Sequence, residues 1–338
     1  MVRLKTPVAV IVLNWNGLGL LKEFLPSVVK NTNPDLGSVI VADNASGDGS
    51  PEFLRREYPD LEVLSFDENY GYAEGYNKAI AAVESEYAVL LNSDVAVAPG
   101  WLEPLYAALE ADKGLVAVQP KIRSYADKGR FEYAGACGGF MDYLGFPFCR
   151  GRILGYTEAD EGQYECEMEV FWCSGAALCI RRDAYMKAGG LDKAFFAHME
   201  EIDLCWRIRN SGGRLKVIPS SVVYHLGGGS LPMHHPRKLF FNYRNNLLML
   251  YKNLSPCERK KVMRIRRFVD FCSALVFLCS GQWANFKAVF AAYRSYREMR
   301  SAYTPFETAG GKDACIYRHS ILFDYYMGRR RRFSDLKR

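Results

Sequence analysis

No two of the ten cysteines stand in a CxxC spacing, which zinc ribbons and thioredoxin-like redox sites require. The absence excludes both classes, and we expect the cysteines to be buried thiols in a reducing cytosol. The longest hydrophobic stretch, 268–281, contains Asp270 and falls short of the roughly 18 apolar residues that span a bilayer, so we expect no transmembrane helix. The apolar run at 8–13 is too short for a secretory signal and lacks a cleavage site. These absences predict a protein that stays inside the cell.

The chain also lacks internal repeats, low-complexity segments and flexible linkers. Its 49% hydrophobic and 24% charged residues are typical of a globular protein and exclude a disordered or collagenous one. The 338 residues exceed the roughly 250 to 300 at which a single core stops growing. We therefore predict a catalytic domain with an appendage.

Acidic residues are scarce in the last third of the chain. Residues 237–338 hold 22 Lys and Arg against 7 Asp and Glu, whereas residues 1–236 hold 22 against 31. Such a basic tail indicates a polyanionic partner, either nucleic acid or an anionic membrane surface, with an ordinary solvated helical face as the alternative. We place a soft boundary near Pro236.

What the chain does contain is an alternation of apolar runs with segments of helical period. The pattern predicts strands at 8–13, 39–42, 61–66, 87–91, 115–119, 170–180 and 214–225, and helices at 18–30, 51–58, 72–83, 101–109, 182–188 and 200–210. Repeated βα units favour a Rossmann-like α/β fold, a mostly parallel sheet with helices on both faces. Residues 133–155, rich in Gly and Tyr, predict hairpins and loops over the site, and residues 237–338 predict a basic helical extension.

Polar side chains directly follow four of these strands. They are Asn14, Asn16, Asp43, Asn44, Asn69, Asn92, Ser93 and Asp94. Open α/β sheets bind ligands beyond the carboxyl ends of their strands, so we expect one cleft to contain these side chains.

Asp94 and His225 are candidate metal ligands. Asp94 follows a predicted strand, where a carboxylate can hold a divalent cation against a diphosphate; a turn-forming or helix-capping Asp is the alternative. His225 precedes Gly227-Gly228-Gly229, whose bare backbone can approach a phosphate closely, although a structural hydrogen-bonding role is the alternative for a single His. Together the two residues predict a mixed oxygen and nitrogen site for Mn²⁺ or Mg²⁺, the imidazole favouring Mn²⁺.

Three carboxylates, Glu200, Glu201 and Asp203, stand at the start of the predicted helix 200–210. Acids at a helix N-terminus also complement the macrodipole, and Asp203 can pair with Arg207 one turn later. A carboxylate beside a nucleotide-binding cleft is, however, the group that takes a proton from an attacking hydroxyl. The segment therefore predicts either a capped helix or a general base.

Several short motifs follow one another in order through residues 7–250. They are VIVLNWN (10–16), VADNASGDGS (41–50), NYGYAEGYN (69–77), LLNSD (90–94), SGAA (174–177), GGLD (189–192), EEIDLCWR (200–207) and YRN (243–245). With these motifs the chain resembles the family 2 glycosyltransferases of the GT-A fold, in particular the branch that includes bacterial rhamnosyltransferase-like enzymes.

The resemblance implies transfer of a sugar from a nucleotide donor with inversion at the anomeric carbon. It implies a GT-A catalytic domain at 1–236, with a nucleotide-binding half at about 1–120 and an acceptor half at about 121–236. It assigns base recognition to Asp43, metal binding to Asp94 and general-base catalysis to Glu201. The other implied nucleotide-sugar contacts are Asn14, Asn69, Gly71, Asn77, Asn92 and Ser93. The implied meeting place of donor sugar and acceptor contains Ser174, Gly175, Glu200, Asp203 and Trp206.

Two residues depart from the family pattern. Asn92 stands at the first acid of the DxD motif, which lowers the negative charge around the metal. Glu201 stands where Asp is commoner, so Glu200 and Asp203 are alternative bases. The alternative function is therefore a catalytically inactive sugar-nucleotide-binding protein, and Asn92 is the one residue that supports it.

Two further classes lack the sequence features that they need. A sugar nucleotidyltransferase would carry a Gly-rich, Lys-containing phosphate loop near its first strand, and this chain has none there. A nucleic-acid-binding protein would suit the basic tail, but no recognisable module accompanies the charge. We expect no nucleic-acid partner.

Apolar and aromatic residues alternate with Arg and Lys at helical spacing around 262–271 and 286–296. This pattern is typical of helices on a membrane interface, and a basic helical cap packed on the catalytic domain is an alternative that can coexist with it. Membrane contact suits an acceptor carried on a polyprenyl diphosphate, as the family resemblance implies. We therefore expect an inverting glycosyltransferase of cell-surface polysaccharide synthesis, cytoplasmic and peripheral on the inner face of the membrane. Its implied donor is dTDP-rhamnose or a UDP-hexose, and its acceptor is a hydroxyl of a glycan or lipid-linked glycan.

Overall fold

A computed structural model of the chain describes residues 2–227, 235–307 and 313–336. Its strands are β1 (Val2–Arg3), β2 (Val8–Asn14), β3 (Gly37–Asp43), β4 (Glu62–Ser65), β5 (Val83–Glu84), β6 (Tyr87–Asn92), β7 (Val95–Val97), β8 (Leu115–Ser124), β9 (Gly139–Asp142), β10 (Pro147–Cys149), β11 (Arg152–Ile153), β12 (Tyr156–Thr157), β13 (Met168–Glu169), β14 (Ala177–Arg181), β15 (Arg214–His225) and β16 (Ile316–Tyr317). Its helices are α1 (Leu18–Asn31), α2 (Ser50–Glu57), α3 (Gly71–Ala82), α4 (Leu102–Ala111), α5 (Arg182–Lys187), α6 (Glu200–Asn210), α7 (Pro236–Asn253), α8 (Pro256–Cys279), α9 (Trp283–Met299) and α10 (Ile321–Tyr326). Short 3₁₀ turns occupy Lys193–Phe195, Arg300–Ala302 and Phe333–Asp335.

The central sheet has the strand order β13-β15-β8-β14-β6-β2-β3-β4, with β7 paired to β15. Four neighbouring strands, β6-β2-β3-β4, are parallel, and we call them the parallel half. In this register Asn14 pairs with Asp43 and Leu13 with Asn92, so the polar residues that end these strands meet at one edge of the sheet. The sheet therefore places the predicted cleft residues side by side.

Helices cover both faces of the parallel half. Successive side chains of a strand point to opposite faces of the sheet, and in these strands the side chains on both faces are apolar. Val10 and Val12 of β2 lie in one core cluster with residues of α1 and α4. Ala9 and Ile11 lie in the other cluster with residues of α3 and α6. This arrangement confirms the predicted α/β class with helices on both faces.

Beyond β6 the sheet is mixed. β14 runs antiparallel to both β6 and β8, while β15 runs parallel to β8. β7 pairs antiparallel with the end of β15, which sets His225 opposite Val95. The parallel arrangement that the βα pattern predicts thus holds for the parallel half, and the rest of the sheet contains strands of both directions.

The single strand predicted at 170–180 is wrong. Only residues 168–169 and 177–181 pair in the sheet, as β13 and β14. A turn interrupts the segment because Ala177 N donates to Ser174 O at 3.2 Å and Ala176 N donates to Ser174 Oγ at 3.2 Å. The continuous apolar run reflects burial of the whole segment, and burial alone does not distinguish a strand from a buried turn.

The predicted hairpins within 133–155 are present. Strands β9, β10, β11 and β12 pair as successive antiparallel neighbours in a second sheet. Strand β16, from the end of the chain, adds to β9 in parallel. The second sheet therefore joins residues 139–157 to the C-terminal region.

The C-terminal region is packed against the catalytic region. Helix α7 begins at Pro236, the predicted boundary, and its Leu247, Leu248 and Met249 are fully buried in the cluster that contains α3 and α6. Asp313 Oδ1 accepts from Arg209 Nη2 of α6 at 2.6 Å. These contacts form the helical cap that was one of the two roles expected for this region.

Four cysteines contradict the expectation of buried thiols. Cys166, Cys257, Cys272 and Cys279 are exposed, and the other six are buried. The last three exposed thiols lie on α8, one side of which faces solvent.

Among the described residues, no helix combines the length and the hydropathy that a membrane span needs.

Candidate functional site

The carboxyl ends of β2 and β3 hold a buried carboxylate in a fixed orientation. Asn14 Nδ2 donates to Asp43 Oδ1 at 2.9 Å and to Ser46 Oγ at 3.1 Å. Asp43 Oδ2 accepts from Ser46 N at 3.0 Å. Both carboxylate oxygens of Asp43 thus have a donor that holds them, and Asn14 acts on Asp43 directly. Ser46, which closes this arrangement, was part of a sequence motif but received no role there.

A second polar network fixes the start of α3. Asn44 Nδ2 donates to Asn69 Oδ1 at 2.9 Å and to the carbonyl of Gly71 at 3.1 Å. Asn69 Oδ1 also accepts from Gly71 N at 2.8 Å. Gly71 has a φ of 72°, a conformation that glycine adopts without strain. Asn69 and Gly71 therefore lie together at the open edge of the sheet, next to the strand that carries Asp43.

Asn77 has a structural role that the sequence did not indicate. Its Nδ2 donates to Leu191 O at 2.8 Å, and its Oδ1 accepts from Leu191 N at 2.9 Å and from Tyr185 Oη at 2.6 Å. Both ends of the amide are occupied by protein groups that tie α3 to the segment after α5. The structure therefore gives Asn77 no free polar atom for a nucleotide, because internal hydrogen bonds use its donor and its acceptor.

Asp94 and His225, 131 positions apart in the sequence, are in direct contact. His225 Nε2 lies 3.1 Å from Asp94 Oδ1, and Asn92 Nδ2 lies 3.5 Å from the same nitrogen. The opposite ring nitrogen, Nδ1, lies 3.3 Å from Glu132 Oε2. Glu132 was missed in the sequence because it follows no predicted strand and belongs to no motif. The contact depends on the pairing of β7 with β15 described above.

Burial and charge act in opposite directions on this cluster. Burial lowers the pKa of His225, but its contacts with Asp94 and Glu132 outweigh burial and raise that pKa to about 10. Burial raises the pKa of Asp94, and the hydrogen bond and charge of His225 outweigh it, so the pKa lies below the usual range. The imidazole must lose its proton before it can bind a metal, as any histidine ligand does.

The donor set of Asp94 and His225 fits a divalent cation that shares its coordination with substrate. Within 2–227, 235–307 and 313–336, no group of three or more His, Cys, Asp or Glu is arranged to hold a metal alone. One carboxylate and one imidazole leave room for diphosphate oxygens and water, as Mg²⁺ sites usually do. Ser93 is half-buried in the turn before Asp94. Gly228 and Gly229, expected near a phosphate, lie outside the described residues.

Residues 174–176 connect the Asp94–His225 pair to the acidic start of α6. The carbonyl of Ala176 accepts from Asn92 N at 3.0 Å, and Ser174 Oγ donates to Ala134 O at 2.6 Å. The carbonyl of Gly175 accepts from Tyr72 Oη at 2.9 Å. A Cβ on Gly175 would lie 2.5 Å from Tyr72 Oη and 3.6 Å from the Cβ of Glu201. Glycine is therefore required here by the close approach of Tyr72.

Glu200 and Glu201 are carboxylic acids in a dry environment. One oxygen of each, Oε2, is buried and has no hydrogen-bond partner among the described residues. Burial raises the pKa of Glu201 to about 7, and burial together with the charge of Glu201 raises the pKa of Glu200 well above its usual range. A carboxylate with a pKa near neutrality is suited to accept a proton at physiological pH.

Asp203 and Trp206 are structural. Asp203 is fully buried, and its oxygens accept from Arg207 Nε, Lys252 Nζ and Asn253 Nδ2, each at 2.8 Å. Trp206 is 5% exposed and packs edge-on against Phe171 with ring centroids 5.2 Å apart. Neither side chain is available to an acceptor, because helix packing uses both. The expectation that they line the acceptor site is therefore not met.

The segment before α6 has an unusual backbone. Phe196, His198 and Met199 have φ values of 65°, 69° and 72°, in the left-handed region that side chains with a Cβ rarely adopt. Asn245 Nδ2 donates to the carbonyls of Phe195, Ala197 and His198 at 2.9, 2.8 and 2.8 Å. Arg244 Nη2 donates to Phe195 O at 2.9 Å and to Ala194 O at 3.0 Å. We call these two residues of α7 the clamp; the sequence showed them as a motif without a role.

Comparison with known proteins gives a consistent result. A profile of the family described as Glycosyl transferase family 2 matches residues 9–178, just over half of the chain. Over 220 residues the chain is 30% identical to the N-acetylglucosaminyl-diphospho-decaprenol L-rhamnosyltransferase of Mycobacterium tuberculosis, which covers 61% of this chain and 71% of that relative. Over 272 residues it is 23% identical to the rhamnosyltransferase WbbL of Escherichia coli strain K12, which covers 73% of this chain and 92% of the relative.

One solved structure with the same fold contains both a nucleotide sugar and a metal. It is the mannosyltransferase PcManGT from Pyrobaculum calidifontis in complex with GDP-Man and Mn²⁺. The TM-score is 0.53 at 17% identity, over 87% of this chain and 76% of that chain. A similarity at this level of identity shows the fold alone.

Proposed function

Because the chain belongs to glycosyl transferase family 2 and has the GT-A fold, it is a glycosyltransferase, and we propose that it is an inverting one. The donor is a nucleotide-diphosphate sugar and the acceptor a hydroxyl of a lipid-linked glycan. The observation that carries the inverting mechanism is the Glu200 and Glu201 pair beside Gly175, each with one buried oxygen that has no hydrogen-bond partner in the described part of the chain. Inversion in a single displacement needs one base and no enzyme nucleophile.

The names of two relatives support the choice of substrates. Both are rhamnosyltransferases, and one of them carries N-acetylglucosaminyl-diphospho-decaprenol in its name. We propose dTDP-rhamnose as the donor, with a UDP-hexose as the second candidate. The acceptor is proposed to be a glycan on a polyprenyl diphosphate, within cell-surface polysaccharide synthesis.

Donor binding is assigned to the edge of the parallel half. Asp43, held by Asn14 and Ser46, accepts a hydrogen bond from the base of the nucleotide. Asn69 and Gly71, at the start of α3, lie beside the nucleoside. Because both networks are formed in advance, donor binding does not have to order these side chains.

The metal is assigned to Asp94 and His225, and either Mn²⁺ or Mg²⁺ fits this donor set. When bound, such a metal neutralises the charge that develops on the departing diphosphate. The protein itself contributes burial of the pair, and Glu132 lies against the outer ring nitrogen of His225. A carboxylate in that position orients an imidazole ligand.

Proton transfer is assigned to Glu201. Its carboxylate removes the proton of the acceptor hydroxyl as that oxygen attacks the anomeric carbon from the face opposite the diphosphate. Glu200 is the alternative base, since one of its oxygens also lacks a hydrogen-bond partner among the residues that the structure describes. Asp203 is a poor base because a lysine, an arginine and an asparagine hold its oxygens.

The inactive alternative rests on Asn92 alone. The structure shows Asn92 beside His225, where its amide adds no charge to the pair. Asp94, His225 and the Glu200–Glu201 pair are all present, so an amide at position 92 leaves the proposed machinery in place.

The first experiment measures thermal shifts with UDP, dTDP, GDP and CDP, each with and without Mn²⁺, on the wild type and on Asp94→Ala. Specific ligands raise the unfolding midpoint by mass action. We expect a Mn²⁺-dependent shift for one nucleotide that Asp94→Ala loses. Sugar transfer is then assayed with the matching donor. A nucleotide shift without transfer to any lipid-linked acceptor would favour the inactive alternative, and no shift with any nucleotide would contradict the assigned site.

A further inference from the structure

A cavity of about 440 Å³ lies between α7, α8 and α9 and contains none of the residues assigned to sugar transfer. Six cationic side chains line it: Arg259, Lys260, Arg264, Arg267, Arg297 and Arg300. The rest of its lining is tyrosine and methionine, and no Asp or Glu among the described residues contributes. A cavity with this lining is suited to an anion.

The six cations have no acidic partner in the part of the chain that the structure describes. The neighbouring acids are used elsewhere, since Glu258 accepts from Ser255 Oγ at 2.6 Å and Asp270 pairs with Arg266 at 3.3 Å. Glu298 pairs with Arg294 at 3.1 Å. Like charges around one cavity repel one another, and an anion in the cavity relieves that repulsion.

An exposed apolar surface borders the cavity. Phe268, Phe271, Leu275 and Val276 of α8 are 69%, 48%, 40% and 64% exposed. Their spacing of three, seven and eight residues from Phe268 places them on one side of the helix. We call these four residues, with the exposed Trp283 and Phe290 of α9, the apolar face.

The basic cavity and the apolar face lie next to each other along α8. Arg264 precedes Phe268 by four residues, which puts the two side chains on the same side of the helix, one turn apart. The N-terminal half of that side is therefore basic and the C-terminal half apolar. Such a side suits a lipid surface when its apolar end enters the surface first, because the cations then lie at the level of the phosphates.

We propose that the cavity binds the phosphate of an anionic membrane lipid while the apolar face enters the outer part of the bilayer. Arginine is suited to this role because its guanidinium donates two hydrogen bonds at once to phosphate oxygens. The proposal rests on the proposed function in one respect, since a lipid-linked acceptor requires the enzyme to work at a membrane. It adds the site and the chemistry through which the chain is held there.

The test is sedimentation of the full chain with vesicles of three compositions. They contain phosphatidylcholine alone, phosphatidylcholine with phosphatidylserine, and phosphatidylcholine with phosphatidic acid at the same surface charge as the second. A general attraction to negative charge makes the last two equal, whereas a phosphate site favours phosphatidic acid, whose phosphate is unsubstituted. We expect the wild type to bind phosphatidic acid vesicles most tightly.

Two double variants with the same change of charge separate the cavity from the overall charge. R264Q/R267Q removes two cations of the cavity, and R55Q/R56Q removes two exposed arginines of α2. At about 1 kcal/mol per basic residue near the surface, the first loses affinity for phosphatidic acid vesicles about thirtyfold, and the second changes it little. K260Q/R297Q alters the same cavity and serves if the first variant does not fold.

The outcomes are distinct. Equal binding of wild type and both cavity variants to phosphatidic acid vesicles overturns the proposal, and so does an equal loss in R55Q/R56Q. Stabilisation of the wild type by pyrophosphate without vesicle binding also overturns it, in favour of a soluble anion. The nucleotide shift of R264Q/R267Q is expected to match that of the wild type. If no nucleotide shifts the wild type but the lipid preference holds, the proposed transfer fails and the lipid site stands.

Discussion

Three carboxylates at the start of α6 differ in chemistry because they differ in partners. Asp203 is held by Arg207, Lys252 and Asn253, which occupy its oxygens. Glu200 and Glu201 each keep a buried oxygen that no described residue contacts through a hydrogen bond, and burial raises the pKa of both. Perturbed acids in a cleft are functional candidates, whereas paired acids are structural ones.

Glu201→Gln is expected to lower kcat by a factor of about 10² to 10⁴, the usual contribution of a general base. The amide has nearly the same shape, so the nucleotide-dependent thermal shift is retained. Glu200→Gln is the matched control and keeps most of the activity. Steady-state transfer rates of the two variants check this, and a larger loss in Glu200→Gln would move the base to Glu200.

The transfer rate is expected to rise with pH through about 7 and to level off above it, because the base works only without its proton. Steady-state transfer rates across this pH range check it.

The raised pKa of Glu201 also affects stability. The pKa of Glu201 is higher in the folded chain than the ordinary 4.5, so the free energy of unfolding falls as pH increases between these values. Glu201→Gln weakens this fall. Urea unfolding of both proteins at pH 5 and pH 8 measures it, and identical pH dependence would contradict the shift.

At the scale of elements, the strained segment before α6 depends on α7. Phe196, His198 and Met199 adopt positive φ values at a cost of order 1–3 kcal/mol each, which surrounding contacts must offset. The clamp supplies such contacts, because Asn245 and Arg244 donate hydrogen bonds to four backbone carbonyls between residues 194 and 198. Because Glu200 directly follows Met199, the clamp positions the acidic pair.

Asn245→Ala is expected to lower kcat more than it raises the KM for the nucleotide, because the segment loses its three hydrogen bonds while the donor site is untouched. Asn246→Ala is the matched control. The neighbouring Asn246 donates to Gly145 O at 2.7 Å, away from the segment. Both variants lose stability, by about 1–3 kcal/mol for buried groups left unpaired. Equal loss of kcat in the two would show that the clamp affects stability alone.

At the scale of the whole molecule, the C-terminal region and the catalytic region share one core. Lys252 and Asn253 of α7 hold Asp203 of α6, and Arg266 of α8 donates to Leu144 O at 3.0 Å. Strand β16 extends the sheet that begins with β9. The soft boundary at Pro236 therefore marks a change of composition across a continuous structure.

The chain is expected to unfold in one cooperative transition, because neither region keeps its core without the other. Loss of the residues after 235 would expose the surface that packs against α7 and would leave Asp203 without two of its partners. Calorimetry of the full chain checks this. Limited proteolysis is the second measurement. Two separate transitions, or a stable fragment that ends near residue 236, would contradict the shared core.

The sequence alone was sufficient for features that depend on the local pattern of residues. Apolar runs and helical periods located β2, β3, β4, β6, α1 and α3 to within a few residues, since burial on both faces demands such runs. Because parallel strands end at one edge, the residues after them could be placed in one cleft. The basic composition after Pro236 was equally visible.

Only the tertiary structure decided which side chains contact each other. Glu132 joins His225 through the packing of two distant segments, and no local pattern marks it. Trp206 and Asp203 belong to one sequence motif but have different structural roles. Trp206 packs in the core against a residue that follows β13, and Asp203 forms an ion pair with α7. Both neighbours meet the motif only in the folded chain. Sequence periodicity reports which side of an element is buried. It does not report the partner across the interface, and the chemistry of a buried carboxylate depends on that partner.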